Sequence, residues 1–192
     1  LEVLTWAHDA AHIAGTSGEG GPPDRLAVTK ALTAIDPDQA ELTAARAAGI
    51  PIEPWQQVVA DAATGRRLVA VAGTHGKSTT SGWLVDLLVG AGEDPSAFVG
   101  ALLPTRATGG PPATARHGHG PAFVVEADEY AGNFDAYRPS IAVLTGAEWD
   151  HPDVFADEAA VVATFVRWIG RGPDDGIVVL NADDPLVASV AR

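Results

Sequence analysis

The stretch "VAVAGTHGKSTTSGWLVDLL", Val69 to Leu88, decides how this chain is read. It opens as the end of the apolar run "RLVAVAG", which is too short for a helix and is closed by glycine, so it predicts a buried strand. Beyond the turn, Leu84, Leu87, Leu88 and Ala91 recur at helical spacing and predict a helix that turns them inward. Between strand and helix lie Gly73, Gly76, Lys77 and Ser78. Glycines let the backbone approach a ligand with no side chain in the way. The start of the following helix offers unpaired N–H groups and the positive end of its dipole. Lysine and serine at these positions suit the β- and γ-phosphates of a nucleotide and a magnesium ion. The spacing is G-x-x-G-K-S, shorter than the common G-x-x-x-x-G-K-[ST], with Val71 standing where the first glycine belongs.

The rest of the composition explains why such a loop is needed. The chain has 192 residues, 46% of them hydrophobic, and a formal charge of −13. Strong acidity disfavours non-specific binding to nucleic acid or to an anionic membrane surface. An acidic protein holds an anion through a local device: backbone amides, one placed cation, or a metal. With no cysteine, disulfides and thiolate chemistry are excluded. No apolar run has the length of a membrane span, and the N-terminus lacks the layout of a signal peptide. A chain that begins at Leu1 and contains no methionine is expected to be part of a longer product.

Strand and helix signals alternate along the chain, which predicts an α/β fold: a mostly parallel sheet with helices on both faces. "RLAVTKAL" reads as a strand. "DPDQAELTAARAAG" reads as a helix capped at Asp36, with Gln39 at the capping-box position and Gly49 ending it. "AFVVEA", "SIAVLTG" and "GIVVLNADDP" read as further strands, and "DEAAVVATFVRWIG" as a helix burying Val161, Phe165, Trp168 and Ile169. Two glycine- and proline-rich stretches, 15–24 and 104–120, read as mobile connections. His117 and His119 in the second are placed in a flexible loop near the substrate. A boundary falls near Gly65, giving segments 1–65 and 66–192.

Ligands in parallel sheets sit at the carboxyl ends of strands, and three motifs fall there. Beside "GTHGKS" lie "VVEADEY", with Glu126, Asp128 and Glu129, and "TGAEWDHPD", with His151 between Asp150 and Asp153. A carboxylate at the end of an apolar strand is costly to bury unpaired; Mg²⁺ is its natural partner. His151 is a candidate for a metal or substrate role. The acidic residues of "NADDP" read as a solvated turn.

"AGTHGKSTT", "EADEY", "TGAEWDHPD" and "VLNADDP" occur in the order and rough spacing of the Mur ligases, which this chain resembles from about Ala40 to its C-terminus. The histidine of "GTHGK" and the "EADE" tetrapeptide are most similar to the member that joins L-alanine to UDP-N-acetylmuramate. The resemblance implies an ATP- and Mg²⁺-dependent ligase of peptidoglycan synthesis, cytoplasmic, that phosphorylates the sugar carboxylate before the amine attacks. It implies that Gly73, Thr74, His75, Gly76, Lys77, Ser78 and Thr79 bind nucleotide. It further implies that Lys77 and His151 are catalytic and that Ser78, Glu126 and His151 serve magnesium. Residues 1–65 resemble the end of a Rossmann-like UDP-substrate domain, and 66–192 an incomplete central ATP domain. The third domain, which selects the amino acid, has no counterpart here, so this stretch is expected not to complete the ligation alone. Gly146 replaces the asparagine usual in the family. A murein tripeptide recycling ligase, another Mur-like ligase, and a non-catalytic or regulatory P-loop protein stand as alternative readings.

Overall fold

The computed structural model describes residues 9–15 and 21–190. Residues 16–20 of the glycine-rich stretch 15–24 therefore lie outside the described residues. The chain divides by compactness between Val58 and Val59, inside helix α4.

The first unit holds α1 (Ala10–Ala14), β1 (Leu26–Val28), α2 (Lys30–Ile35), α3 (Ala40–Ala48), β2 (Ile52–Pro54) and the start of α4 (Trp55–Ala62). β1 and β2 pair in parallel. The expected strand "RLAVTKAL" stops at Val28. Thr29 then accepts a hydrogen bond from Leu32 N at 3.2 Å and starts α2, since a threonine cap satisfies a free helix N–H. The next helix also begins later than its sequence suggests. Gln39 caps α3 by accepting from Glu41 N and Leu42 N, while Asp36 ends α2.

The second unit is a six-stranded sheet in the order β5-β4-β6-β3-β7-β8. Its strands are β3 (Arg67–Ala72), β4 (Ser96–Leu103), β5 (Ala113–Arg116), β6 (Ala122–Glu126), β7 (Ile141–Leu144) and β8 (Ile177–Leu180). All neighbours pair in parallel except β5, which closes one edge antiparallel to β4. The helices are α5 (Lys77–Gly90), α6 (Thr105–Thr108), α7 (Glu158–Ile169) and α8 (Pro185–Val190).

Alternation along β3 builds two cores. Leu68, Ala70 and Ala72 face a large cluster with Phe123, Val125, Phe134, Phe165 and Trp168. Val69 faces the opposite cluster with Val85, Val99, Leu103 and Val124. This is the two-faced burial that an uninterrupted apolar strand implies. Trp168 stacks on Phe134 with centroids 4.8 Å apart, and Val161 and Phe165 are buried as expected. In α5 the inward face differs from the expected one. Ser81 and Val85 are buried, with Leu84, Leu88 and Val89 packed beside them, whereas Leu87 is 71% exposed. Leucine spacing alone placed that face about one step wrong, because the buried stripe runs through the polar Ser81, which a count of apolar residues passes over.

The stretch 104–120 is also more ordered than its composition suggests. It contains α6 and β5, and its end is pinned to the turn before β4. Asp94 Oδ2 accepts from His119 N at 2.7 Å, and Asp94 Oδ1 from Arg116 Nη2 at 2.6 Å. Arg66 Nη1 reaches Ser96 Oγ at 2.7 Å and Gly118 O at 2.8 Å. These residues precede β3, β4 and β6, so His117 and His119 sit at the amino end of the sheet. The expectation that they lie near a substrate at the carboxyl ends is corrected by this topology.

Two outcomes follow. Arg66→Ala removes charge-assisted hydrogen bonds to Ser96 Oγ, Gly118 O and Gly120 O and should cost about 1–3 kcal/mol in a denaturant titration. The His119 N–H, then Arg116 and His119 charge, hold Asp94 below the usual carboxylate range. A carboxylate so lowered contributes stability present above its ordinary value and lost as pH falls through its folded value. Asp94→Asn should therefore flatten the acid limb of a stability–pH curve, most visibly below about pH 4.

Candidate nucleotide-phosphate site

The turn after β3 is shaped by its contact with the end of β7. Gly73 adopts φ +132°, and a Cβ there would lie 2.3 Å from Thr145 Oγ1 and 2.8 Å from Gly146 N. Thr74 N donates to Gly146 O at 3.1 Å, and the Thr74 hydroxyl donates to Glu148 O at 2.8 Å. The Thr145 hydroxyl lies 2.5 Å from His75 O and 3.1 Å from Ala72 O. Gly76, at φ +82°, is the N-cap of α5, and no side chain caps that end. The first N–H groups of a 14-residue helix thus lie beside an open glycine turn, the arrangement that receives anions. Val71, at the place of the missing first glycine, is fully buried in the strand.

Two pairs of side chains converge at this turn. Lys77 Nζ donates to Gly73 O at 2.7 Å and lies 3.1 Å from Glu129 Oε2. The carboxylate of Glu129 is almost wholly buried. Burial pushes its carboxyl above the ordinary value, with the Lys77 ammonium pulling against that shift. The second pair joins Ser78 Oγ to Glu126 Oε1 at 3.0 Å. Gly100 N donates to the other oxygen, Oε2, at 2.7 Å. A Cβ at Gly100 would stand 3.0 Å from both carboxylate oxygens, so a bare backbone here is what lets β4 hold Glu126.

His151 belongs to a neighbouring group. Its backbone is left-handed at φ +55°, and its ring packs edge-on against Tyr130 with centroids 5.0 Å apart. Tyr130 donates to Asp153 Oδ2 at 2.8 Å, and this hydrogen bond holds its phenol above the ordinary value. Asp128 faces its own turn, accepting from Tyr130 N at 3.2 Å and Asn133 Nδ2 at 2.8 Å. The structure thus joins Lys77, Ser78 and Glu126 at one turn. His151 is linked to them through Tyr130, next in sequence to Glu129. His75 is exposed, 3.7 Å from Glu148.

A cleft of about 430 Å³ opens on the β7 side of the turn, lined by Thr74, His75, Gly146, Glu148, Asn181 and Asp184. Asp184, expected to be solvated, is instead engaged. It accepts from Ala147 N at 3.1 Å and from Leu186 N at 2.8 Å. A Cβ at Gly146 would meet Asp184 Oδ2 at 3.6 Å, an ordinary contact, so packing does not force glycine there. Gly100, Thr145, Glu129 and Asp184 were not assigned from the sequence. Glu129 left a signal as the last acid of "EADE", and Asp184 as an acid of "NADDP".

The donors at Ser78 and Glu126 are hard oxygens, one carboxylate and one hydroxyl. Mg²⁺ takes one or two carboxylates and completes its shell with phosphate and water, so these residues fit it. Among the described residues no group of three or more histidine, aspartate or glutamate side chains is gathered as a metal site; the pair fits magnesium held jointly with phosphate. No described helix is long and apolar enough to cross a membrane.

A mostly parallel sheet, a glycine turn, an uncapped helix start and an adjacent acidic strand end are the features of a phosphate-loop α/β fold. Residues 71–192 match the Mur ligase middle domain; the chain belongs to the Mur ligase family. It is 45% identical over 163 residues to a UDP-N-acetylmuramate–L-alanine ligase of Frankia casuarinae, covering 85% of this chain and 32% of that protein. It is 43% identical over 184 residues to the ligase of the same name from Kineococcus radiotolerans, covering 96% of this chain and 36% of the relative. The chain therefore spans about a third of the length of these relatives. A UDP-N-acetylmuramate–alanine ligase structure from Thermotoga maritima aligns with TM-score 0.71 at 25% identity, over 93% of this chain and 39% of that one. A UDP-N-acetylmuramate:L-alanyl-gamma-D-glutamyl-meso-diaminopimelate ligase from Neisseria meningitides aligns with TM-score 0.74 at 26% identity, over 95% and 58%.

The close approach at Gly73 gives a stability test. Gly73→Ala should cost about 1–3 kcal/mol by overpacking, on top of its left-handed backbone. Gly76→Ala, whose nearest neighbour would be 3.7 Å away, should cost only the conformational part, about 1–2 kcal/mol. Equal losses in chemical denaturation would show that contact with Thr145 is not what demands Gly73.

Proposed function

We propose that this chain forms the ATP site of a ligase that joins L-alanine to UDP-N-acetylmuramate in peptidoglycan synthesis. The observation that carries the reading is the convergence of Lys77, Ser78 and Glu126 on one glycine turn. The identity of the curated relatives favours the alanine-adding member over a tripeptide recycling ligase. In this reading residues 66–192 are the central ATP domain, and residues 1–65 end a UDP-substrate domain.

The roles follow from the chemistry. A carboxylate is a poor electrophile with a poor leaving group; transfer of a phosphoryl group from ATP to it corrects both faults. Magnesium, when bound, supplies charge neutralisation for that transfer. Ser78 and Glu126 hold the ion, with the Gly100 N–H fixing the carboxylate. Lys77 and the first N–H groups of α5 hold the β- and γ-phosphates. The cleft beside Asn181 has a volume suited to a nucleoside. His151, whose ring packs against Tyr130, would serve a second magnesium ion. The protein's contribution is placement rather than covalent chemistry. The expected location is the cytoplasm, where ATP and UDP-sugars occur.

The test is an ADP-release assay on the whole protein with UDP-N-acetylmuramate and single amino acids. Release should require L-alanine, and Lys77→Ala should lower kcat/KM for ATP by about 10²-fold or more. A response only to a free tripeptide would move the assignment to a recycling ligase. Slow hydrolysis indifferent to any amino acid would support a regulatory P-loop protein instead.

A further inference from the structure

Glu129 is a buried acid at this turn that the roles above leave unused. We propose that it is the internal counter-anion of Lys77, and that by neutralising this lysine it makes polyphosphate binding at the loop depend on an accompanying divalent cation. The inference rests on reading the Lys77 turn as a nucleotide-phosphate site.

The geometry is specific. Glu129 is 2% exposed, and both its oxygens approach Lys77 Nζ, at 3.1 and 3.3 Å. The remaining neighbours of the ammonium are carbonyls, Gly73 O at 2.7 Å and Thr74 O at 3.4 Å. A cation so surrounded carries little uncompensated charge. Burying the carboxylate without the lysine would be costly, so the two are held as a unit.

The adjacent acids separate into different tasks. Asp128 ties the turn by accepting from Tyr130 N and Asn133 Nδ2. Glu129 turns inward instead, at the head of the segment Tyr130–Ala136, which Ala131 and Gly132 bend through left-handed backbone. Glu126 stands three residues upstream at the same strand end. A loop with this acidic setting, in a chain of charge −13, attracts a polyanion through backbone N–H groups and a helix dipole worth about half a charge. A triphosphate then needs its own metal ion to offset Glu126 and Glu129. Metal-free ATP, inorganic phosphate and other bare anions are disfavoured.

The experiment is calorimetric titration of the whole protein with ATP, once with Mg²⁺ and once with EDTA, for wild type, Glu129→Gln and Glu129→Asp. Glutamine keeps the shape and an acceptor for Lys77 but removes the charge. The expected result is that wild type binds ATP far more tightly with Mg²⁺. Glu129→Gln should narrow that ratio by about tenfold, chiefly through tighter metal-free binding. Glu129→Asp, which keeps the charge but lengthens the pair, should narrow it by about two- to threefold. A purely structural role for Glu129 predicts a lower Tm and weaker binding in both conditions, and that pattern overturns the proposal. An unchanged metal requirement in folded Glu129→Gln overturns it too; if that variant does not fold, an unchanged ratio in Glu129→Asp does the same. Wild type that binds no ATP even with Mg²⁺ sinks the phosphate-site reading itself, a result separate from either of these.

Discussion

β3 pairs in parallel with β6 on one side and β7 on the other, with Val71 opposite Glu126 and Ala72 opposite Leu144. The register sets where each chain leaves the sheet. Three strands that end at the same level release their turns into the same space, and parallel pairing is the reason the carboxyl ends coincide. Were β6 antiparallel, Glu126 would end its strand at the far end of the sheet. The phosphate turn would then have no acid beside it. The buried residues that fix this register are ordinary: Val69, Ala70 and Val71 between Val124, Val125 and Ala142. Their small or β-branched side chains fit a sheet covered on both faces.

On that frame the turn is shaped by subtraction. Gly73 and Gly100 each lack a Cβ where one would strike a neighbour: Thr145 in the first case, the Glu126 carboxylate in the second. The first absence lets the loop lie against β7; the second lets a backbone N–H from β4 grip the acid that faces Ser78. Charge is handled the same way, by local pairing. Lys77 with Glu129, and Ser78 with Glu126, are neighbours in space that lie 52 and 48 residues apart in sequence. In the proposed reading an acidic chain thereby offers a polyphosphate site without a basic surface.

The ligase family has a sheet whose strand ends do the positioning while substrate carboxylate and amine do the chemistry. The chain described here spans about a third of its curated relatives; in the proposed reading its residues address the phosphoryl donor. The cleft beside Gly146 and Asn181 and the pair at Ser78 and Glu126 lie on either side of the same turn. That is the layout a nucleotide needs to place its base on one side and its terminal phosphates on the other.

Much of this was legible from residue order. Strand β3, the glycine turn and helix α5 follow from an apolar run, two glycines and a helical repeat, all local signals. The acids of "EADE" and the histidine of "EWDH" could be placed at strand ends because buried strands are short and their limits show in composition. Tertiary structure decided the rest, because the rest concerns which distant atoms meet. No spacing could reveal that Glu129 rather than Asp128 turns to Lys77, or that Gly100 holds Glu126. Nor could it show that His117 and His119 lie at the opposite end of the sheet, or that Leu87 faces solvent while Ser81 is buried. Sequence fixes periodicity and the local conformations open to the backbone. Partner choice across 50 residues is set by strand order and packing, which exist only once the sheet has formed.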